Sequence, residues 1–281
     1  MKTRQDIIKD IEALGSLEDD AFPLFQSALY LAALNHEGRG LAPYHHHLEK
    51  MVDDVRVRHT DLLTAGADDD GATRIAAIKH IVADKYGYQG DKDTYNDIRN
   101  ADVIDVIDRR KGLPIALAII TIEVGRAQGW TVEGINFPGH FLIRFDHLGE
   151  RVMCDPFTGF KILQAADLRN LLKQALGDKA ELSSSFYQEA CNRDILIRLQ
   201  NNIKYRQIET EHYADALETV RIMRLFAPDE FRLLLDDGVL KARLDKTADA
   251  INSIRQYLNH VTDPHDKYDA QILLRSLENR L

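Results

Sequence analysis

Two short segments carry residue types capable of proton chemistry: Pro138-Gly139-His140-Phe141-Leu142 and Asp155-Pro156-Phe157. An imidazole with a carboxylate beside it is a general base and its orienting partner, able to activate a thiol, a hydroxyl or a water molecule. A third segment, Arg110-Lys111-Gly112-Leu113-Pro114-Ile115, opens a long apolar run. Strand register decides whether the first two meet. Taking Leu148-Gly149 as a two-residue hairpin turn sets His147 opposite Glu150 and Leu142 opposite Asp155. His140 then shares a face with Asp155 one diagonal step away, within hydrogen-bond reach. By the same parity Cys154 points away from His140.

The elements that must hold these residues follow from periodicity. Ile7, Ile8, Ile11 and Leu14 fall at helical spacing, as do residues 25–34 and the set Leu48, Met51, Val52, Val55. Asp68-Asp69-Asp70-Gly71 caps a helix with Ile75, Ile78, Ile81 and Val82, which Gly87 closes. Residues 86–100 read as an ordered loop, followed by a short helix with Val103, Ile104, Val106 and Ile107. The run from Pro114 to Arg126, stopped by Gly129, is a helix apolar on nearly every face and therefore central. After Gly129 the pattern turns to strands, at 141–145 and at Val152-Met153. A helix at 165–176, a polar linker at 177–185 and further helices complete the chain. Ala214-Asp215-Ala216 recurs as Ala248-Asp249-Ala250, an interval matching the roughly 34-residue tetratricopeptide period, with Pro228 and Gly238 at supporting positions. An ordinary helical hairpin with a coincidental match is the alternative.

The stretch from about Tyr86 to Phe160 resembles the SirB-type branch of the transglutaminase-like superfamily, an uncharacterised family of bacterial proteins. The matching residues are Tyr95, Asn100, Arg110-Lys111-Gly112-Leu113-Pro114-Ile115, Gly134, Pro138-Gly139-His140-Phe141-Leu142 and Asp155-Pro156-Phe157. Ala101 departs from the serine expected after Asn100. The resemblance implies an α+β fold: a transglutaminase-like core, related to papain-like cysteine proteases, with a small antiparallel sheet. It also implies an N-terminal helical region (1–66), the core at 67–180, and tetratricopeptide-like repeats at 186–281. Active members of the superfamily use a Cys-His-Asp triad with the cysteine at the start of a buried helix. Counting back from Arg126 and Gly129 puts that position on Pro114, which has no nucleophile. His140 and Asp155 thus match the dyad without its attacking group. Asn100, Arg110, Pro138 and Gly139 become candidate ligand-binding residues.

Composition narrows the classes. The chain has 281 residues, 44% hydrophobic and 29% charged, and its 36 basic against 45 acidic residues give a net charge of −9. A dedicated nucleic-acid binder needs a basic face, so none is expected. The apolar stretch at 113–122 is too short to span a bilayer. The two cysteines, Cys154 and Cys191, make no disulfide framework and no metal spacing, which suits a reducing, cytoplasmic compartment. No cofactor or metal is expected; His45-His46-His47 point in different directions on a helix. Arg109, Arg110 and Lys111 either complement a helix C-terminus or rim a pocket. The expected function is a peptide- or protein-binding regulator or scaffold, with a partner held by the repeats or by the degenerate cleft. The alternative is a hydrolase or acyltransferase in which His140 and Asp155 activate water or a hydroxyl; chemistry at Cys154 is disfavoured by parity.

Overall fold

A central apolar helix and a small sheet organise the first part of the chain, in a computed structural model that describes residues 2–279. The chain divides into two units: residues up to Ile7 with Asp19–Leu199, and Ile8–Glu18 with the chain from Gln200 onward. Helices α1 (Arg4–Leu14), α2 (Leu24–Ala33) and α3 (Ala42–Thr64) precede α4 (Gly71–Lys79). Asp70 caps α4 by accepting the Thr73 N–H at 2.7 Å. A π-type turn at His80–Lys85 then winds the chain down to Gly87, whose φ of +77° ends it.

Strand β1 (Gln89–Gly90) pairs in parallel with β2 (Lys111–Gly112). Between them α5 (Val103–Arg109) starts at Asp102, whose carboxylate accepts the Ile104 and Asp105 N–H groups. Helix α6 (Pro114–Arg126) carries buried residues around its whole circumference, as its composition requires. No helix among the described residues is long and apolar enough to cross a membrane.

The main sheet is antiparallel throughout, in the order β6 (Lys161–Leu163), β5 (Glu150–Asp155), β4 (Leu142–His147), β3 (Thr131–Ile135), β7 (Glu189–Ala190). His147 pairs with Glu150 and Ile143 with Cys154, so the ladder runs on to set Leu142 against Asp155. Leu148 and Gly149 both have positive φ, 48° and 85°, the backbone of a type I′ hairpin turn. One sheet face carries Val132, Ile143, Phe145 and Cys154. Here Gly125 of α6 lies against Val132 and Gly71 of α4 against Val152, both so close that a Cβ would collide. The other face buries Ile135, Leu142 and Met153 with Leu168 and Leu172 of α7 (Ala165–Leu176). The fold is therefore α+β with a small antiparallel sheet.

In the second unit, the C-terminal part of α8 (Asn192–Glu209) is followed by α9 (Tyr213–Phe226), α10 (Arg232–Arg243), α11 (Thr247–Leu258) and α12 (Pro264–Glu278). The entries into α9 and α11 are alike in detail. Glu211 and Asp245 both turn left-handed, with φ of 60° and 57°. His212 N–H bonds Gln207 C=O and Lys246 N–H bonds Lys241 C=O, at 2.8 and 2.9 Å. Ala216 and Ala250 are fully buried at matching places.

Candidate functional site

The loop ahead of α6 is built around buried polar groups. Asp91, 1% exposed, accepts the Thr94 hydroxyl at 2.6 Å and the Thr94 N–H at 3.0 Å. These bonds hold its carboxyl at about 2, below the usual range. Arg109 reaches the same carboxylate at 3.0 Å and the Asn100 side-chain oxygen at 3.0 Å. Asn100 is fully buried; its side-chain N–H group bonds the Thr94 carbonyl, and its own carbonyl accepts the Leu113 N–H at 2.9 Å. Leu113 is the residue before α6, so Asn100 fixes where that helix begins. Pro114 follows, half-buried, in the first turn.

Arg110 turns away from this loop. Its backbone is left-handed (φ 61°), and its guanidinium packs over the Tyr88 ring at 4.9 Å while donating to the Tyr88 hydroxyl at 2.9 Å and to the Ile107 carbonyl. Both arginines thus have internal partners: Arg109 holds Asp91 and Asn100, and Arg110 holds Tyr88.

His140 lies in a tight turn just before β4, its N–H bonded to the Phe137 carbonyl at 2.9 Å. Pro138 is half-buried, and Gly139 has a φ of +73° with room for a Cβ only at 3.0 Å from Ala175 of α7. That conformation favours glycine. The His140 imidazole is half-buried, and burial lowers its pKa most; Asp155 raises it and Arg198 lowers it. The ring is therefore neutral near pH 7. Asp155 lies within electrostatic range, but its oxygens serve its own turn. One accepts the Phe157 N–H at 2.9 Å and the other the Thr158 hydroxyl at 2.8 Å. Among the described residues no hydrogen bond or ion pair joins His140 to Asp155. Strand alternation sets Asp155 on the Met153 and Leu142 side of the sheet, whereas Cys154 faces α6. The turn after Asp155, Pro156–Thr158, does pack against α6.

Sequence reasoning missed Arg198. From α8 it donates to the Asn136 side chain at 2.8 Å and to the His140 carbonyl at 3.0 Å, and its guanidinium covers the Phe141 ring at 5.4 Å. It also feels Tyr95, whose ring meets Phe157 edge-on at 5.8 Å. His140, Arg198, Tyr95 and Phe157 thus share one neighbourhood. No local pattern around Arg198 signals this, because its partners lie far back in the sequence.

A family model described as the transglutaminase-like superfamily matches residues 42–201, more than half of the chain. The chain belongs to the transglutaminase-like superfamily. It is similar to a UPF0162 protein of Xylella fastidiosa, 30% identical over 257 residues that cover 90% of this chain and 89% of the relative. A UPF0162 protein of Vibrio cholerae is 29% identical over 264 residues, 93% of each chain. F-box only protein 21 of Homo sapiens is 24% identical over 179 residues, 60% of this chain but 27% of that protein. No solved structure matches the chain. In this transglutaminase-like chain both thiols are raised away from reactivity. Burial pushes Cys154 well up, and chiefly burial takes half-buried Cys191 to about 11.

Proposed function

We propose that this chain is a catalytically degenerate transglutaminase-like protein of the SirB type that binds a peptide segment of a protein partner. The observation that carries the reading is Pro114 in the first turn of α6, where the superfamily's thiol is expected, with the nearest cysteine in sequence, Cys154, buried and held protonated. The neighbourhood of His140, Arg198, Tyr95 and Phe157 supplies what peptide recognition uses: an exposed aromatic edge, a cation and a neutral imidazole. The matched entries into α9 and α11 support a tetratricopeptide-type repeat as a second protein-binding element. Two cysteines without a disulfide support a reducing, cytoplasmic location.

Water activation by His140 is the second reading, favoured by the neutral ring. The engagement of Asp155 with Phe157 and Thr158 weighs against it, since a base needs its orienter. One experiment separates them. The intact chain is assayed for hydrolysis and transamidation of a glutamine-containing peptide library, and for binding to the same library. Binding without turnover, weakened by about tenfold or more in Tyr95→Ala or Arg198→Ala, supports the scaffold. Turnover that disappears in His140→Ala overturns it.

A further inference from the structure

Three ligand-type side chains meet where the turn after α2 approaches the start of α5, and none of them belongs to the motif segments. His36 lies in the turn after α2; Asp102 and Asp105 occupy the cap and first turn of α5. His36 Nε2 is 3.2 Å from an Asp102 oxygen and 3.7 Å from an Asp105 oxygen. One donor atom from each of the three lies within 4.8 Å of the others. The set is buried for so polar a group: the side chains are 13%, 7% and 23% exposed.

The orientation of the ring points to a ligand. His36 Nε2 is shielded from solvent and is ion-paired with an Asp102 oxygen at 3.2 Å, which raises the imidazole's pKa. The pair lacks the alignment of a well-formed hydrogen bond. The nitrogen's in-plane axis therefore misses that oxygen. A ligating nitrogen aims its lone pair at the ion and not at the neighbouring ligands. Metal–donor bonds of about 2.0–2.2 Å in tetrahedral geometry set donors roughly 3.4 Å apart, close to the two separations found here. Asn35 donates to the second Asp102 oxygen at 3.3 Å, and the Ile104 and Asp105 N–H groups bond the first, so the carboxylate is held in place by its surroundings.

We propose that His36, Asp102 and Asp105 bind a first-row divalent cation of the zinc or manganese type, tying the turn after α2 to the start of α5. One imidazole with two carboxylates suits such an ion better than magnesium or calcium, which take oxygen donors almost exclusively. The location gives the ion a task. Asp102 sits two residues after Asn100, which positions Leu113 and hence the first turn of α6. Fixing the start of α5 therefore braces the loop that leads into α6.

The test uses the full chain stripped of metal by chelation. Zinc, manganese and magnesium chlorides are titrated separately by calorimetry at neutral pH. The expected result is one saturable site for zinc or manganese, at least about tenfold weaker in His36→Gln and in Asp105→Asn. The same ion raises the thermal midpoint of the parent and leaves that of the variants unchanged. Asp102 is kept because it caps α5, and Asp105→Asn decides the matter if His36→Gln fails to fold, as judged by circular dichroism. Three outcomes overturn the proposal: no saturable binding, which leaves a protonated His36 paired with Asp102; equal binding in parent and variants, which assigns the ion to exposed histidines such as His46 and His265; or magnesium binding as tightly as zinc and manganese.

Discussion

Arg110, Tyr88 and His47 form a chain whose proton positions follow from donor chemistry. A guanidinium only donates, so the Tyr88 oxygen accepts from Arg110 at 2.9 Å. The Tyr88 proton is then free for His47 Nε2, also at 2.9 Å, which makes that nitrogen an acceptor and leaves the ring proton on Nδ1. Burial first, and then Arg110, lower the His47 pKa to about 4. The unfolded chain protonates His47 near 6.5, before the folded chain does. The stabilisation is therefore complete above about pH 6.5 and is lost as pH falls toward 4. Half-exposure discounts the effect to roughly 1–2 kcal/mol. Urea midpoints of the parent and of His47→Gln, taken at pH 7.5 and 4.5, check it. The parent should lose more stability between the two, and an equal loss would contradict the buried neutral ring.

At the scale of elements, the short parallel pair β1–β2 works by close approach. A Cβ on Gly90 would stand 2.4 Å from a Phe157 ring carbon and 2.5 Å from the Phe157 carbonyl oxygen. The ring can rotate, but the carbonyl belongs to the turn that Asp155 caps and cannot yield cheaply. Gly90→Ala should cost about 1–3 kcal/mol in denaturant unfolding and displace Phe157 from Tyr95. A loss under about 0.5 kcal/mol would mean that the turn shifts freely. Such an element is also one that sequence conceals. Helix α6 is legible because it is apolar all round and begins with proline, and the β4–β5 hairpin because Leu148-Gly149 fixes its register. Two-residue strands such as β1, β2 and β7 have no period to read, and glycine in β1 resembles a loop. The candidate site divides the same way. His140 and Asp155 stand out through their Pro and Gly neighbours, whereas Arg198 and His36 gain their roles from partners distant along the chain. Asp155 shows the limit of strand parity: it places the carboxylate correctly in the ladder, but it is silent on the competing Phe157 and Thr158 donors.

At the scale of the molecule, the two units gain their stability in different ways. The first joins strands and helices far apart in sequence, such as β3 with β7, so it forms as a whole. The second is a succession of helices in which α9 packs on α10, α10 on α11 and α11 on α12. Its last core places Ala270 and Leu277 of α12 against Ile251, Ile254 and Tyr257 of α11. In a stack held by neighbours, removing the end should loosen the adjacent helix most and the effect should fade inward. Ending the chain at Asp263 tests this by amide hydrogen exchange. Protection should fall strongly in α11, less in α10 and least in α9, whose Ala216, Val220 and Met223 remain fully buried. The buried Asp237 of α10, bonded to Ser253 and paired with Lys241, carries part of the effect inward because its partner Ser253 belongs to α11. Equal loss across α9, α10 and α11 would instead mark the second unit as one cooperative body, and the likeness of its two helix entries would then be a matter of local geometry and not of a repeating architecture.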